Sequence, residues 1–200
     1  MIDNVFIEDF IYGTLLFIFI IIVVYSTKKY RNVWINRKII HLSSVPAVLF
    51  YMYFFREPYV FLLYSIVFTV MLFSKHVKKT LDGWYQVEGN LGEVYFTLSY
   101  GVLSIVAWPE YKILAGVAML FMAIGDSVTG IVRSRFVDRW QKHWTGSIAM
   151  LIVTLFIGMY FLGIPGALLA LIATVAEAQP YIDDNLTVPL ISFLIGFLLI

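Results

Sequence analysis

Eight apolar stretches recur along the chain, at roughly 10–25, 39–55, 59–73, 91–108, 113–133, 147–163, 166–179 and 186–200. A segment crossing the hydrocarbon core of a bilayer needs about 20 residues, with a range near 17–25. Several of these runs are shorter, so their helices must extend into polar flanks. The last run contains Pro189, which makes the count seven or eight. No fixed-period repeat is visible, and no linker is long enough to divide the chain. The expected fold is therefore all-α, a polytopic transmembrane helical bundle of seven or eight spans, forming one integral membrane domain over residues 1–200.

Composition agrees with that expectation and excludes several functions. Hydrophobic residues make up 61% of the chain and charged ones 14%, whereas soluble domains are nearer half apolar and a quarter charged. A net charge of +1 offers no electrostatic footprint for nucleic acid. There is no cysteine, which rules out disulfides, thiolate nucleophiles and cysteine-ligated zinc. The first residues are acidic (Asp3, Glu8, Asp9), where a signal peptide would be basic, so the first run reads as a permanent span.

Charge placement orients the spans. The loops after the first, third and fifth runs hold twelve of the fourteen lysines and arginines, leaving only Arg56 and Lys112. By the positive-inside rule that side is cytoplasmic and the N-terminus lies outside. The loop at 181–185 falls inside without any basic residue. Every polar constellation below then opens to the compartment that contains nucleotides.

The densest constellation is Met119–Ser147. Here Gly125, Asp126, Thr129, Gly130 and Arg133 interrupt an apolar run, and a basic loop with Arg135, Arg139, Lys142 and His143 follows. An intramembrane carboxylate is costly and marks a functional site by default. Asp126, Thr129, Gly130 and Arg133 sit at i, i+3, i+4 and i+7, one face of a helix. That face combines a metal-binding or acceptor group, close backbone approach and a fixed positive charge, which suits a phosphate chain. The alternative is a structural Asp126–Arg133 pair, with the glycines serving helix packing.

Four further groups have the same double reading. Arg37-Lys38-x-x-His41 opens the second run and offers phosphate contacts, or an anchor set at the membrane edge. Glu93, behind Asn90 and beside Gly92, can accept a proton or bind a metal, or be a solvated interfacial carboxylate. Lys142 to Ser147 turns into the sixth run, where Ser147 and the helix N-terminus suit phosphate, or simply a cap. Glu177 followed by Asp183-Asp184-Asn185 supplies hard oxygen ligands for Mg2+, or a hydrophilic loop that caps the last helix. His76 reads as a solvated loop histidine. The aromatics of the second and third runs read as lipid-facing bulk or interfacial belt.

Taken together, RKIIH, GEVYF, AIGDSVTGIVRSRF, KHWTGSIAM and AEAQPYIDDNLTVPL resemble the CTP-dependent polyprenol kinase family, which includes dolichol and phytol kinases. The resemblance runs from Arg37 to Pro189. Its most specific element is the Asp-Asp-Asn-x-Thr-x-Pro segment after a glutamate, and the Thr-Gly-Ile-Val-Arg variant looks more like archaeal members. Departures occur at Asp126-Ser127-Val128-Thr129, commonly Asp-Gly-x-Ala in the family, and at Thr145, commonly a glutamate.

The resemblance implies a multi-pass enzyme in the cell membrane that moves the γ-phosphoryl group of CTP onto an isoprenoid alcohol with a divalent cation. It places the nucleotide on the segment holding Asp126, Lys142 and Gly146. The expected mechanism has Asp126 with Asp183 or Asp184 holding Mg2+. Lys142, Arg133 and Arg37 offset phosphate charge, and Glu93 or Glu177 takes the alcohol's proton. Two other functions use the same ingredients: a cytidylyltransferase acting on a phosphorylated lipid, and a proton-coupled carrier with Asp126, Glu93 and Glu177 as relay groups.

Overall fold

The computed structural model describes residues 4–137 and 141–200; Asp3 and Arg139 of the motifs above lie outside them. Each apolar run becomes helix. They are α1 (Asn4–Ser26), α2 (Val33–Ser43) with α3 (Val45–Tyr53), α4 (Tyr59–Val77), α5 (Gly92–Val106), α6 (Lys112–Leu120), α7 (Ser127–Arg133), α8 (Trp144–Leu162), α9 (Ile164–Ala178) and α10 (Asp184–Leu199). Among the described residues four helical stretches are long and apolar enough to cross a membrane, namely Asn4–Lys29, Tyr59–Val77, Lys112–Arg133 and Trp144–Leu162. The helices of α5, α9 and α10 are apolar but shorter.

The stretch from Lys112 to Arg133 is the axis of the bundle. Its α-helical turns are interrupted between α6 and α7 by a π-helical segment, Phe121–Asp126. Such widened turns are rare in general and frequent at functional sites. Here the Ser127 hydroxyl donates back to the Ala123 carbonyl and the Thr129 hydroxyl to the Gly125 carbonyl, at 2.6 and 2.8 Å. Leu114 to Ala123 are almost entirely buried. By contrast α1 buries only Asp9 and Gly13 and shows most of its apolar surface outward, as lipid contact requires.

The second run breaks where the sequence anticipated one span. Ser44 ends α2 and Pro46 opens α3, since proline is tolerated only in a helix's first turn. The last run stays one helix through Pro189, so the described chain holds eight helical runs rather than seven. The aromatics of the second and third runs divide. Tyr53, Phe54 and Tyr59 are exposed, whereas Tyr51, Phe55 and Phe61 are core residues, contrary to a wholly lipid-facing role.

The two ends of the bundle differ. At one end the Asp9 carboxylate accepts the backbone N–H groups of Arg56 and Glu57, and Arg56 pairs with Glu8. At the other end meet the starts of α2, α5, α8 and α10 and the finishes of α4, α7 and α9. The connection 78–91 folds over this end. Asn36 donates to the Trp84 carbonyl at 2.8 Å, and the Trp84 indole N–H donates to the Val24 carbonyl.

Candidate active site

A network of buried charge occupies this second end. It begins on α2, a helix whose polar face is the buried one. Asn32 caps it by accepting the Ile35 N–H, and Trp34, Arg37, Lys38 and His41 follow at i, i+3, i+4 and i+7, all buried. Lys38 Nζ lies 2.6 Å from Asp126 Oδ2, and His41 Nδ1 lies 3.1 Å from the same oxygen. Asp126 is 1% exposed, and its Oδ1 meets no hydrogen-bond donor among the described residues. Gly130 makes the pairing possible, because a Cβ there would fall onto Lys38 Cε and within 2.8 Å of Trp34 Nε1.

Arg37 turns the other way. Its guanidinium donates to Asn90 Oδ1 at 3.0 and 3.1 Å and lies 3.7 Å from Glu93 Oε2. Glu93 is buried and uses its two oxygens differently. Oε1 takes His76 Nε2 at 2.8 Å and the Gln86 amide at 3.1 Å. Oε2 has the Arg37 charge nearby but no hydrogen-bond donor among the described residues. A Cβ on Gly92 would stand 2.6 Å from Arg37 Nη2 and 2.9 Å from Asn185 Nδ2, which brings the start of α10 into the same cluster.

The remaining members close the cluster. Arg133 stacks on Trp34 at 4.9 Å and reaches Glu177 at 3.3 Å. Lys142 bridges Glu177 and Asp184 at 2.8 and 2.6 Å. Asp183 caps α10, accepting the Asn185 N–H and side-chain amide. Burial pushes the Asp183 carboxyl above its ordinary range; hydrogen bonds from Asn185 oppose that rise and Asp184 adds to it. Burial would depress Lys142, but Asp184 and Glu177 outweigh it and hold the ammonium above its ordinary value of 10.5. A raised lysine contributes stability that is complete below the unfolded value and lost as pH climbs through the folded one. Above about pH 10.5 the wild-type melting temperature should therefore fall more steeply than that of Lys142→Met. Parallel slopes in a detergent-solubilised melting series would contradict it.

Several residues singled out in the sequence have structural roles. Asp126 pairs with Lys38 and His41 rather than with Arg133, whose partner is Glu177. Among the described residues no three His, Asp or Glu side chains form a metal-ligand group. Asp126 pairs with Lys38, whereas Asp183 caps α10 and Asp184 pairs with Lys142. The Thr129 hydroxyl is committed to the carbonyls of Gly125 and Gly146. Gly125 packs against Met150 and Thr154, and Gly146 against Thr129. His143 caps α8 in place of Ser147, which lies inside the first turn.

His76 is the opposite case, since its side chain is 10% exposed and holds Glu93. The signal for it was present, because Tyr64, Phe68, Leu72 and His76 recur every fourth residue down one face of α4. The first three of these line a long apolar groove between α1, α4, α5 and the α2–α3 run. Glu93 and His41 stand at its polar head.

Membrane-type helices, a buried cluster of paired charges at one end and an apolar groove leading to it are the architecture of a polytopic helical membrane bundle. Comparison with known proteins narrows this class. The chain is 32% identical over 132 aligned residues to a probable chloroplastic phytol kinase 2 of Glycine max, covering 54% of this chain and 45% of that protein. It is 32% identical over 132 residues to a probable chloroplastic phytol kinase of Zea mays, covering 54% and 43%, and 30% identical to one of Triticum aestivum. The chain spans under half the length of these relatives. No family model and no solved structure matches it. The aligned half of the chain is thus similar to proteins described as probable phytol kinases.

Proposed function

We propose that the protein is a lipid kinase that transfers the γ-phosphoryl group of a nucleoside triphosphate to the hydroxyl of an isoprenoid alcohol. The donor is CTP, as the family resemblance implies, and the site faces the cytoplasm, as the basic loops imply. The observation that carries this reading is the position of Glu93. It is buried where the apolar groove meets the charge cluster, and its Oε2 is left without a hydrogen-bond donor. An oxygen so placed is suited to accept the alcohol's O–H while the tail stays in the groove.

In the reaction the alcohol oxygen bonds to the γ-phosphorus and the bond from that phosphorus to its bridging oxygen breaks. The proton passes to Glu93, and the nucleoside diphosphate departs. Phosphoryl transfer asks mainly for alignment and neutralisation of charge on the phosphate oxygens. Arg37 and Lys38 on α2, Arg133 on α7 and Lys142 before α8 supply positive charge from separate elements. His76 and Gln86 orient Glu93.

The cluster also bears on the divalent cation. Four cations, Arg37, Lys38, Arg133 and Lys142, face five carboxylates, Glu93, Asp126, Glu177, Asp183 and Asp184. A polyphosphate meets no surplus of positive charge there. Asp183 and Asp184, with the buried and unpartnered Asn185 Oδ1, are the donor set that fits Mg2+, which takes one or two carboxylates together with phosphate oxygens. Bound there, the ion would neutralise charge on the donor phosphates.

The test is a matrix of four γ-labelled nucleotides against isoprenoid alcohols, using purified protein in lipid. Label in the lipid with CTP as the preferred donor is expected. Transfer of α-label in place of γ-label would make the protein a cytidylyltransferase. No label from any donor would overturn the kinase reading.

A further inference from the structure

The groove that meets Glu93 has a floor as well as a head. Its wall on α1 is a single stripe, Gly13, Leu16, Phe17, Ile20, Ile21 and Val24, spaced as one helical face. The opposite face of α1, with Leu15, Ile18 and Ile22, is exposed. At the foot the helices close. A Cβ on Gly13 would stand 2.6 Å from Val60 Cγ1 and 2.8 Å from Tyr64 Cε2, and Thr14 hydrogen-bonds the Tyr64 hydroxyl at 2.6 Å. Phe55 and Phe61, 2% and 7% exposed, complete the floor. The open space along the groove is about 1180 Å³ with the solvent at its mouth included, and about 150 Å³ of it admits the centre of a water-sized sphere.

Depth follows from helix geometry. From Phe61 at the foot to Lys75 at the head, α4 advances about 21 Å at 1.5 Å per residue. An extended isoprene unit has four backbone bonds and covers about 5 Å, at roughly 1.2 Å per bond. The depth thus corresponds to about four units. The charged side chains and the imidazole of the lining gather at the head, where His41, Lys75, Asp82 and Glu93 stand, and the lower groove is aromatic and aliphatic apart from hydroxyls such as those of Ser44, Ser65 and Tyr64.

We propose that this groove seats the acceptor's tail and that Phe55 and Phe61 act as its length stop, with Ala47 leaving the bore open at mid-depth. The proposal rests on the kinase reading for the hydroxyl at Glu93. Alcohols up to about four isoprene units are held along their whole length, and added units gain no further contact. Ala47 lies about 9 Å below His41 along the α2–α3 run, so a larger side chain there shortens the usable bore.

The test compares wild type, Ala47→Phe and Phe61→Ala on alcohols of two, three, four and eight or more units, reading kcat/KM for each. In wild type the value should rise to four units and then level or fall. Ala47→Phe should lower it about tenfold or more for four units and spare two, the scale on which apolar pockets discriminate by size. Phe61→Ala should move the optimum to longer chains. Identical length profiles in all three proteins would overturn the length stop.

A photoreactive four-unit alcohol without nucleotide gives a readout independent of catalysis. Cross-links on the Leu16–Ile20 stripe and on α4, reduced in Ala47→Phe, support the groove. Cross-links confined to Ile18 and Ile22 overturn it. Groove labelling by a protein that phosphorylates no alcohol would sink the kinase reading and leave the groove standing.

Discussion

Glu93→Gln is expected to lower the rate of phosphate transfer to an isoprenoid alcohol by about 10²–10⁴, the range typical for loss of a positioned proton acceptor. The substitution is conservative in shape. A glutamine carbonyl can still accept from His76 and Gln86, which bond Oε1 at 2.8 and 3.1 Å. What is lost is the negative charge and the acceptor character of the second oxygen. Thermal stabilisation by the nucleotide should persist, because Glu93 belongs to the acceptor side. The measurement is a single-turnover rate beside a nucleotide-dependent melting shift. An unchanged rate would remove Glu93 from the reaction. Loss of the nucleotide shift would instead place it on the donor side.

The second large effect concerns folding. Lys38→Met strands Asp126, whose carboxylate is 1% exposed and keeps only the His41 contact at 3.1 Å. Removing one partner of a buried ion pair costs about 3–5 kcal/mol, because the other charge remains uncompensated. Lys38→Met/Asp126→Asn removes both charges and should recover most of that loss. The check is the denaturation midpoint of the three proteins in the same detergent. If the double variant is no more stable than Lys38→Met, the pair is not what holds α2 to the central helix. Activity adds a separate reading, since a double variant that is folded but inactive places Lys38 or Asp126 in the chemistry as well as in the fold.

Much of the architecture was legible because the bilayer limits what a chain can do. Apolar runs must be helical, and all eight are. Charges inside them are costly, so Asp126, Glu93 and Glu177 stood out from the sequence, and all three lie in the buried cluster. Their partners were less legible. Lys38 and Asp126 are 88 residues apart, and only packing decides that Lys38 rather than Arg133 reaches Asp126. The π-helical turns before Ser127 lie where Met150 and Thr154 of α8 crowd Gly125, which hydropathy does not record. His76 lay next to three lysine positions and read as solvent-exposed. Its place on the Tyr64–Phe68–Leu72 stripe was the better guide. Of the two readings open at Ser147, phosphate contact or a helix cap, the cap falls to His143 instead.

The near balance of charge in the buried cluster bears on how a catalytic cycle of the proposed kind would end. Arg37, Lys38, Arg133 and Lys142 each already lie against a carboxylate, so a newly formed lipid monophosphate would find its cations shared. Shared cations would hold it less tightly than unshared ones, which favours escape into the bilayer. The same pairs that knit the helices together would thereby limit product inhibition.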